Sequence, residues 1–288
     1  MRFVARLKTT EEAKKLNQLG IDVFCLDTEF SAKKISLFNL EEIKELTKTY
    51  PNQISLNINK IIHETDLVRL KEFLYNLKTL NISGIVIADL TVFVLAKELD
   101  LEHLIIYQPG TMNTDTFSET YFFQRKIKGI TLSREITLDE IKKFGNTKLE
   151  LSLIGHGYLD MFYSKRKLIT NYLKHKELSG LDLQNNYDLT LREEIRENDN
   201  YPIFEDCFGT HIFRSKKIIS YEELKDLDLL IKDFFIERIF LTDEEFYQTI
   251  QLYKNQISLE DFLKKYKDFD SGFYYKRTEK VKGDLDES

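Results

Sequence analysis

The stretch LELSLIGHGYLDMFYSKRKLITNY, residues 149–172, decides the fold. Its first seven residues, LELSLIG (149–155), form a short apolar run ending on a glycine, the pattern of a buried strand. The remainder carries His156, Ser164, the cations Lys165, Arg166 and Lys167, and the aromatics Tyr158, Phe162, Tyr163 and Tyr172. It is expected to form a basic, aromatic helix, so that the whole stretch is one strand–helix unit. Such units, repeated, build a parallel sheet with right-handed crossovers.

The same unit recurs on the N-terminal side. RFVARL (2–7), DVFCLD (22–27), ISLNIN (54–59), GIVIAD (84–89), LIIYQP (104–109) and GITLSR (129–134) read as strands, each followed by a segment of helical period. An eighth unit comes late. SYEELKDLDLLIKDFF (220–235) reads as a helix, RIFLTD (238–243) as the eighth strand and EEFYQTIQLYKN as its helix. Between units seven and eight, LDLQNNYDLTLREE and YPIFEDCFGTHIFRSKKII alternate apolar and polar residues around Asn-Asn and Phe-Gly turns, which predicts antiparallel hairpins. Eight units favour a TIM-type (β/α)8 barrel with a β-hairpin insertion over an open sheet. No G-x-G-x-x-G turn follows the first strand, which disfavours a dinucleotide-binding sheet. The expected organisation is one barrel domain over residues 1–288, with the inserted β region at about 176–219 and a tail at about 256–288.

Composition narrows the class. Apolar residues make up 42% and charged residues 31%, enough for a large core under a charged surface. Net charge is −6, from 48 acidic and 42 basic residues, which argues against non-specific coating of nucleic acid but leaves room for a local basic site. MRFVARLK reads as a strand rather than a signal peptide, and no apolar run approaches the roughly 18–20 residues that cross a bilayer. Two cysteines, Cys25 and Cys207, are too few for a disulfide framework or a four-thiolate cluster, and the expected compartment is a reducing cytosol.

In (β/α)8 barrels the active site lies at the C-terminal ends of the strands. The polar residues expected there are Asp27, Glu29, Asn59, His63, Asp89, Gln108, Asn113, Arg134, Glu135, His156 and Asp243. Each has a plainer reading. Asp27, Asp89 and Asn113 suit helix N-caps, Arg134 and Glu135 can pair with each other, and His63 suits a surface rim. Glu150 lies on strand seven and, if inward-facing, needs a partner such as Arg134. His156 ends strand seven, where it is expected to face the site. No H-E-x-x-H, C-x-x-C or G-x-S-x-G motif occurs.

His156-Gly157 followed by Ser164 and Arg166 resembles the H-G-x-x-C-x-x-x-S-G-R-C signature of peptidase family U32, the collagenase-like proteins. LSREITLDEI, with Ser133, Arg134 and Glu135, resembles that family's S-R-E-L-S-L-x-E-I. NYPIFEDCFGTHI is similar to a further family segment through Tyr201, Pro202, Glu205, Asp206, Gly209 and His211, and DSGFYYK resembles the ending of shorter Gram-positive members. The signature cysteines are replaced by Asp160 and Lys167, so the iron–sulfur cluster of some members is not expected here.

The resemblance implies one of three functions. The first is 5-hydroxyuridine formation at the wobble position of tRNA, to which prephenate is implied to contribute. The second is collagenase-like peptide hydrolysis, and the third is service as a non-catalytic partner of a cysteine-bearing U32 paralogue. Under the first, His156, Arg134, Glu135 and Glu150 form the expected catalytic group. Asn59, Asp89, Asn113, Tyr163, Ser164, Lys165, Arg166, Lys167, Glu205, Asp206 and His211 are the expected ligand and RNA contacts.

Overall fold

The structure, a computed structural model, describes residues 1–145, 147–179, 183 and 187–276. The parallel strands are β1 (Arg2–Arg6), β2 (Val23–Asp27), β3 (Ile54–Ile58), β4 (Gly84–Ile87), β5 (Ile105–Tyr107), β6 (Gly129–Thr131) and β7 (Glu150–Ser164). The chain then makes β8 (Thr190–Leu191), β9 (Tyr201–Asp206) and β10 (Gly209–Ile219) before β11 (Asp233–Ile236). β11 pairs in parallel with both β1 and β7 and closes an eight-stranded ring. The fold is a TIM-type barrel with extra strands outside the ring.

The helices are α1 (Glu12–Gln18), α2 (Leu40–Thr49), α3 (Leu67–Leu77), α4 (Leu90–Glu98), α5 (Thr116–Phe123), α6 (Leu138–Lys142), α7 (Leu168–His175), α8 (Leu224–Asp228), α9 (Asp243–Tyr253) and α10 (Leu259–Lys265). Period-two alternation along the strands splits the core in two. Phe24 and Leu26 of β2 point outward into the main core beneath the helices, whereas Val23 and Cys25 join Val4, Val86, Ile106 and Phe235 inside the ring. At the N-terminal end of the strands Arg2 binds Asp233 at 2.7 Å and reaches Glu150 at 3.3 Å, and Lys128 lies 3.8 Å from Glu150. This ion cluster floors the barrel.

β7 does not end where a barrel strand should. Its first part runs parallel to β6 and β11; from His156 to Ser164 it pairs antiparallel with β10. Gly157 makes the exit possible. Its φ is +106°, and a Cβ there would sit 2.4 Å from the Glu237 carbonyl oxygen. The expected helix is therefore corrected to a strand through Ser164, a turn at 165–167 and the short α7. The side chains explain why: Leu159 is buried on one face while Tyr158 and Asp160 line the cavity on the other, an alternation no helix presents.

The eighth strand is also displaced. It is Asp233–Ile236, overlapping the end of the segment expected to be helical (220–235), and residues 238–241 form a turn closed by the Leu241 N–H on the Arg238 carbonyl. All four residues of β11 are buried, and so short an apolar run carries no period that separates strand from helix. The β9–β10 hairpin turns through Asp206–Gly209, at the Phe-Gly turn read from sequence. The Asn-Asn turn falls outside the described residues. After α10, β12 (Phe269–Asp270) pairs with β10 through Lys217 and Ile218.

Candidate active site in the barrel mouth

A cavity of about 520 Å³ opens at the C-terminal ends of the strands. The β7–β10 extension stands over it. A bulge at Met161 shifts the register, so Asp160 opposite Phe213 and Tyr163 opposite His211 all face the cavity despite the odd spacing of Asp160 and Tyr163. Ile154 and Phe235 form an apolar base, and Asn57, Asn59 and Gln108 add amides around the wall.

Three cations enter: Arg6, Lys33 and Arg134. Arg6 is buried, binding Asp27 at 2.5 Å, Glu237 at 3.2 Å and the Lys33 carbonyl at 2.6 Å. Burial opposes its charge, but Asp27 and Glu237 outweigh burial and hold it charged. Lys33 binds Asp160 at 2.5 Å, and an Arg134 Nη1 atom lies 3.6 Å from the same carboxylate. Burial raises the Asp160 pKa, yet Lys33 and Arg134 together bring it below its ordinary range. Several buried polar atoms find no partner among the described residues: Nε of Arg6, Nε of Arg134, Oδ1 of Asn57, Oδ1 of Asp160 and both ring nitrogens of His211. Buried donors without acceptors are uncommon in native proteins, and a ligand is one way to satisfy them. Around them Tyr163 stacks on His211 with centroids 4.6 Å apart, and burial pushes the Tyr163 hydroxyl up to about 12. The arrangement suits a small anion with an apolar body.

Several expected residues stand here. Arg134, Asn59, Asp89, Tyr163 and His211 line the cavity. Asp89 also caps α4, accepting from Thr91 N–H at 2.8 Å, so its plainer reading holds as well. The Asn59 side-chain oxygen accepts from Ala32 N–H. Asp206 lies at the edge, its Oδ1 3.9 Å from His211 and its Oδ2 accepting from Lys33 N–H.

Others are elsewhere. His156 does not face the cavity. A register shift between Phe235 and Ile236 breaks the alternation that would have carried Ile154's inward direction to it. It is fully buried beside α9 and α10, with Nδ1 3.2 Å from the Tyr253 hydroxyl and Nε2 3.2 Å from Thr249 Oγ1. Burial lowers its pKa to about 3, so it is a neutral structural imidazole. Glu150 belongs to the floor, at the opposite end of the barrel, and its partners are Arg2 and Lys128 rather than Arg134. Glu135 is exposed and outside the main cavity. Asn113 is buried at φ +68°, donating to the Thr131 carbonyl, and pins its loop instead of capping a helix. Glu205 accepts from Ile169 and Thr170 N–H groups and so caps α7. Ser164 accepts from Arg166 N–H in an exposed turn that also carries Lys165 and Lys167.

The sequence reading missed Arg6 and Lys33; it placed Asp27 at the barrel mouth, with helix capping as the plainer alternative. Asp27 is the hub of the buried network, accepting from Arg6, from Asn57 Nδ2 at 3.0 Å and from Ile35 N–H at 2.8 Å. Arg6 could have been found as the last residue of β1. Lys33 sits in a loop at φ +54° and leaves no sequence signal.

A sequence model of peptidase family U32 matches residues 8–282. The chain belongs to peptidase family U32. This U32 chain is 24% identical over 298 residues to a tRNA hydroxylation protein P2 of Bacillus subtilis, a match covering 94% of the chain and 96% of that protein. It is 25% identical over 280 residues to a protein named an uncharacterized protease of Methanocaldococcus jannaschii, covering 88% of the chain and 68% of that protein.

The donor set does not fit the iron–sulfur cluster of some U32 members. Asp160 is held by two cations, Lys167 is exposed, Cys207 is exposed on the hairpin turn and Cys25 is buried inside the ring. Burial also raises the Cys25 thiol. Among the described residues no helix is long and apolar enough to cross a membrane.

Proposed function

We propose that this U32 chain acts in tRNA modification, in formation of 5-hydroxyuridine at the wobble position. The barrel cavity holds a small carboxylic acid, prephenate by the family resemblance. The observation that carries the reading is a cavity lined by Arg6, Lys33 and Arg134 together with Tyr158, Phe213 and Phe235, in which the Nε atoms of Arg6 and Arg134 are buried with no acceptor among the described residues, although Asp89, Asp160 and Glu237 also line it. Arg134 takes the carboxylate through its free N–H, a charge-assisted bond that a carboxylate accepts well. Lys33 and Asp160 hold Arg134's surroundings in place, while Tyr158, Phe213 and Phe235 receive the apolar body. Lys165, Arg166 and Lys167, exposed on the turn after β7, contact RNA phosphates. The near full-length likeness to a protein named for tRNA hydroxylation supports the reading.

Peptide hydrolysis has less support. Ser164 sits in an exposed turn and the Cys25 thiol is buried, so neither is an activated nucleophile within the cavity. Mass spectrometry of tRNA nucleosides from a deletion strain without a paralogue tests the proposal. Loss of 5-hydroxyuridine and its derivatives is expected; unchanged levels would remove the idea.

A further inference from the structure

A second cavity, of about 440 Å³, lies beside the first. Arg134 and Asp160 line both, so their 3.6 Å ion pair forms part of the wall between them. The far side of the second cavity is built by the irregular step in β10, where the register jumps from Phe213 to Lys217 and leaves Arg214, Ser215 and Lys216 unpaired with β7.

Arg214 is the informative residue. Its Nη2 donates to Asp270 at 2.7 Å, and Asp270 is occupied further by Gly272 N–H at 2.9 Å. The guanidinium packs 5.5 Å from the Phe273 ring centroid, which fixes its plane. Its Nη1 is buried and has no acceptor among the described residues, as is true of Arg134 Nε on the shared wall. Two guanidinium groups lining one cavity thus each keep a buried N–H without an acceptor, next to Ser215 and the exposed Lys216. Four carboxylates, Glu135, Asp160, Asp199 and Asp270, line the same cavity against five basic side chains, so attraction here depends on N–H groups left without an acceptor and not on a large net charge.

We propose that the second cavity is a phosphate subsite, in which Arg214, assisted by Lys216, binds a phosphate group beside the wall that Arg134 shares with the barrel cavity. A tetrahedral oxyanion offers acceptors in several directions and pairs well with a guanidinium group. The volume exceeds that of one ion and leaves space for the ester it belongs to. That the ester is an RNA phosphodiester rests on the reading above.

The test is isothermal titration of the full chain with inorganic phosphate, and separately with an anticodon stem-loop RNA, in wild type, Arg214→Gln and Lys216→Gln. Loss of one charge-assisted hydrogen bond is expected to weaken phosphate binding about tenfold in Arg214→Gln. Lys216→Gln is expected to give a smaller loss, and its exposed position keeps the test valid if Arg214→Gln fails to fold. If both ligands weaken together, the phosphate belongs to RNA. If phosphate alone weakens, the site stands and takes a free phosphate ester. If wild type binds phosphate in an Arg214-dependent way but binds no RNA, the tRNA reading fails and the subsite survives. Phosphate binding that is absent in wild type, or equal in all three proteins, overturns the proposal.

Discussion

The two ends of the barrel both hold cation–carboxylate clusters, but they are built differently. At the floor, Arg2 and Lys128 pair with the partly exposed Glu150 and Arg2 also with the buried Asp233, and Lys128 donates to the Ser83 carbonyl. At the mouth, Arg6, Lys33 and Arg134 face Asp27, Asp160 and Glu237 in deeper burial, and Arg6, Arg134 and Asp160 each keep a polar atom without a partner among the described residues. Charges paired with one another close a structure, whereas a buried donor left without an acceptor is free to take one from a ligand. A count of charged residues at each end would not separate the two.

The largest expected effect tests the mouth's burial. Asp27→Ala leaves Arg6 buried without its principal counter-charge, and breaking a buried pair costs about 3–5 kcal/mol. Chemical denaturation should show that loss; a change below 1 kcal/mol would make the mouth network no different from a surface one. Next, Arg134→Gln should weaken binding of prephenate, followed by calorimetry, by about ten- to a hundredfold, the worth of a charged hydrogen bond of about 1.5–3 kcal/mol. Undiminished binding would assign the acid to another residue.

His156 sharpens the contrast from a third position. Its pKa falls from 6.5 in the unfolded chain to about 3 in the fold, so only the unfolded state takes up its proton between those values. Its contribution to stability is complete above pH 6.5 and falls as pH drops toward 3, by up to about 1.4 kcal/mol per pH unit. His156→Gln should therefore flatten the pH dependence of unfolding in that window. An activity profile that loses its acidic limb in the same variant would return His156 to the chemistry. The smallest effect is at the floor: Glu150→Ala should cost no more than about 1 kcal/mol in the same denaturation measurement, because its ion pairs are partly exposed.

Much of the barrel was legible because its strands repeat at a spacing that only β/α units have, and Arg134 followed from its place at the end of β6. What escaped depends on local breaks in periodicity. Gly155, His156 and Gly157 interrupt β7, and the register shift there turns His156 outward while the strand continues over the mouth. A reader of GHGYLDMFY sees a histidine two residues beyond the inward Ile154 and assigns it inward. The aromatic-rich YLDMFY run was the available sign that the strand goes on. β11 was misplaced because DFFI is buried on every side and has no period. Lys33 was invisible, since a loop residue is brought to the mouth only by the completed fold.

The central claim is that the barrel mouth, not the floor, is the working end of the molecule in tRNA modification. It is tested most directly by nucleoside mass spectrometry of tRNA from a deletion strain carrying either Arg134→Gln or Glu150→Ala at matched protein levels. The expected result is that Glu150→Ala restores 5-hydroxyuridine and Arg134→Gln does not. Full restoration by Arg134→Gln would contradict the account.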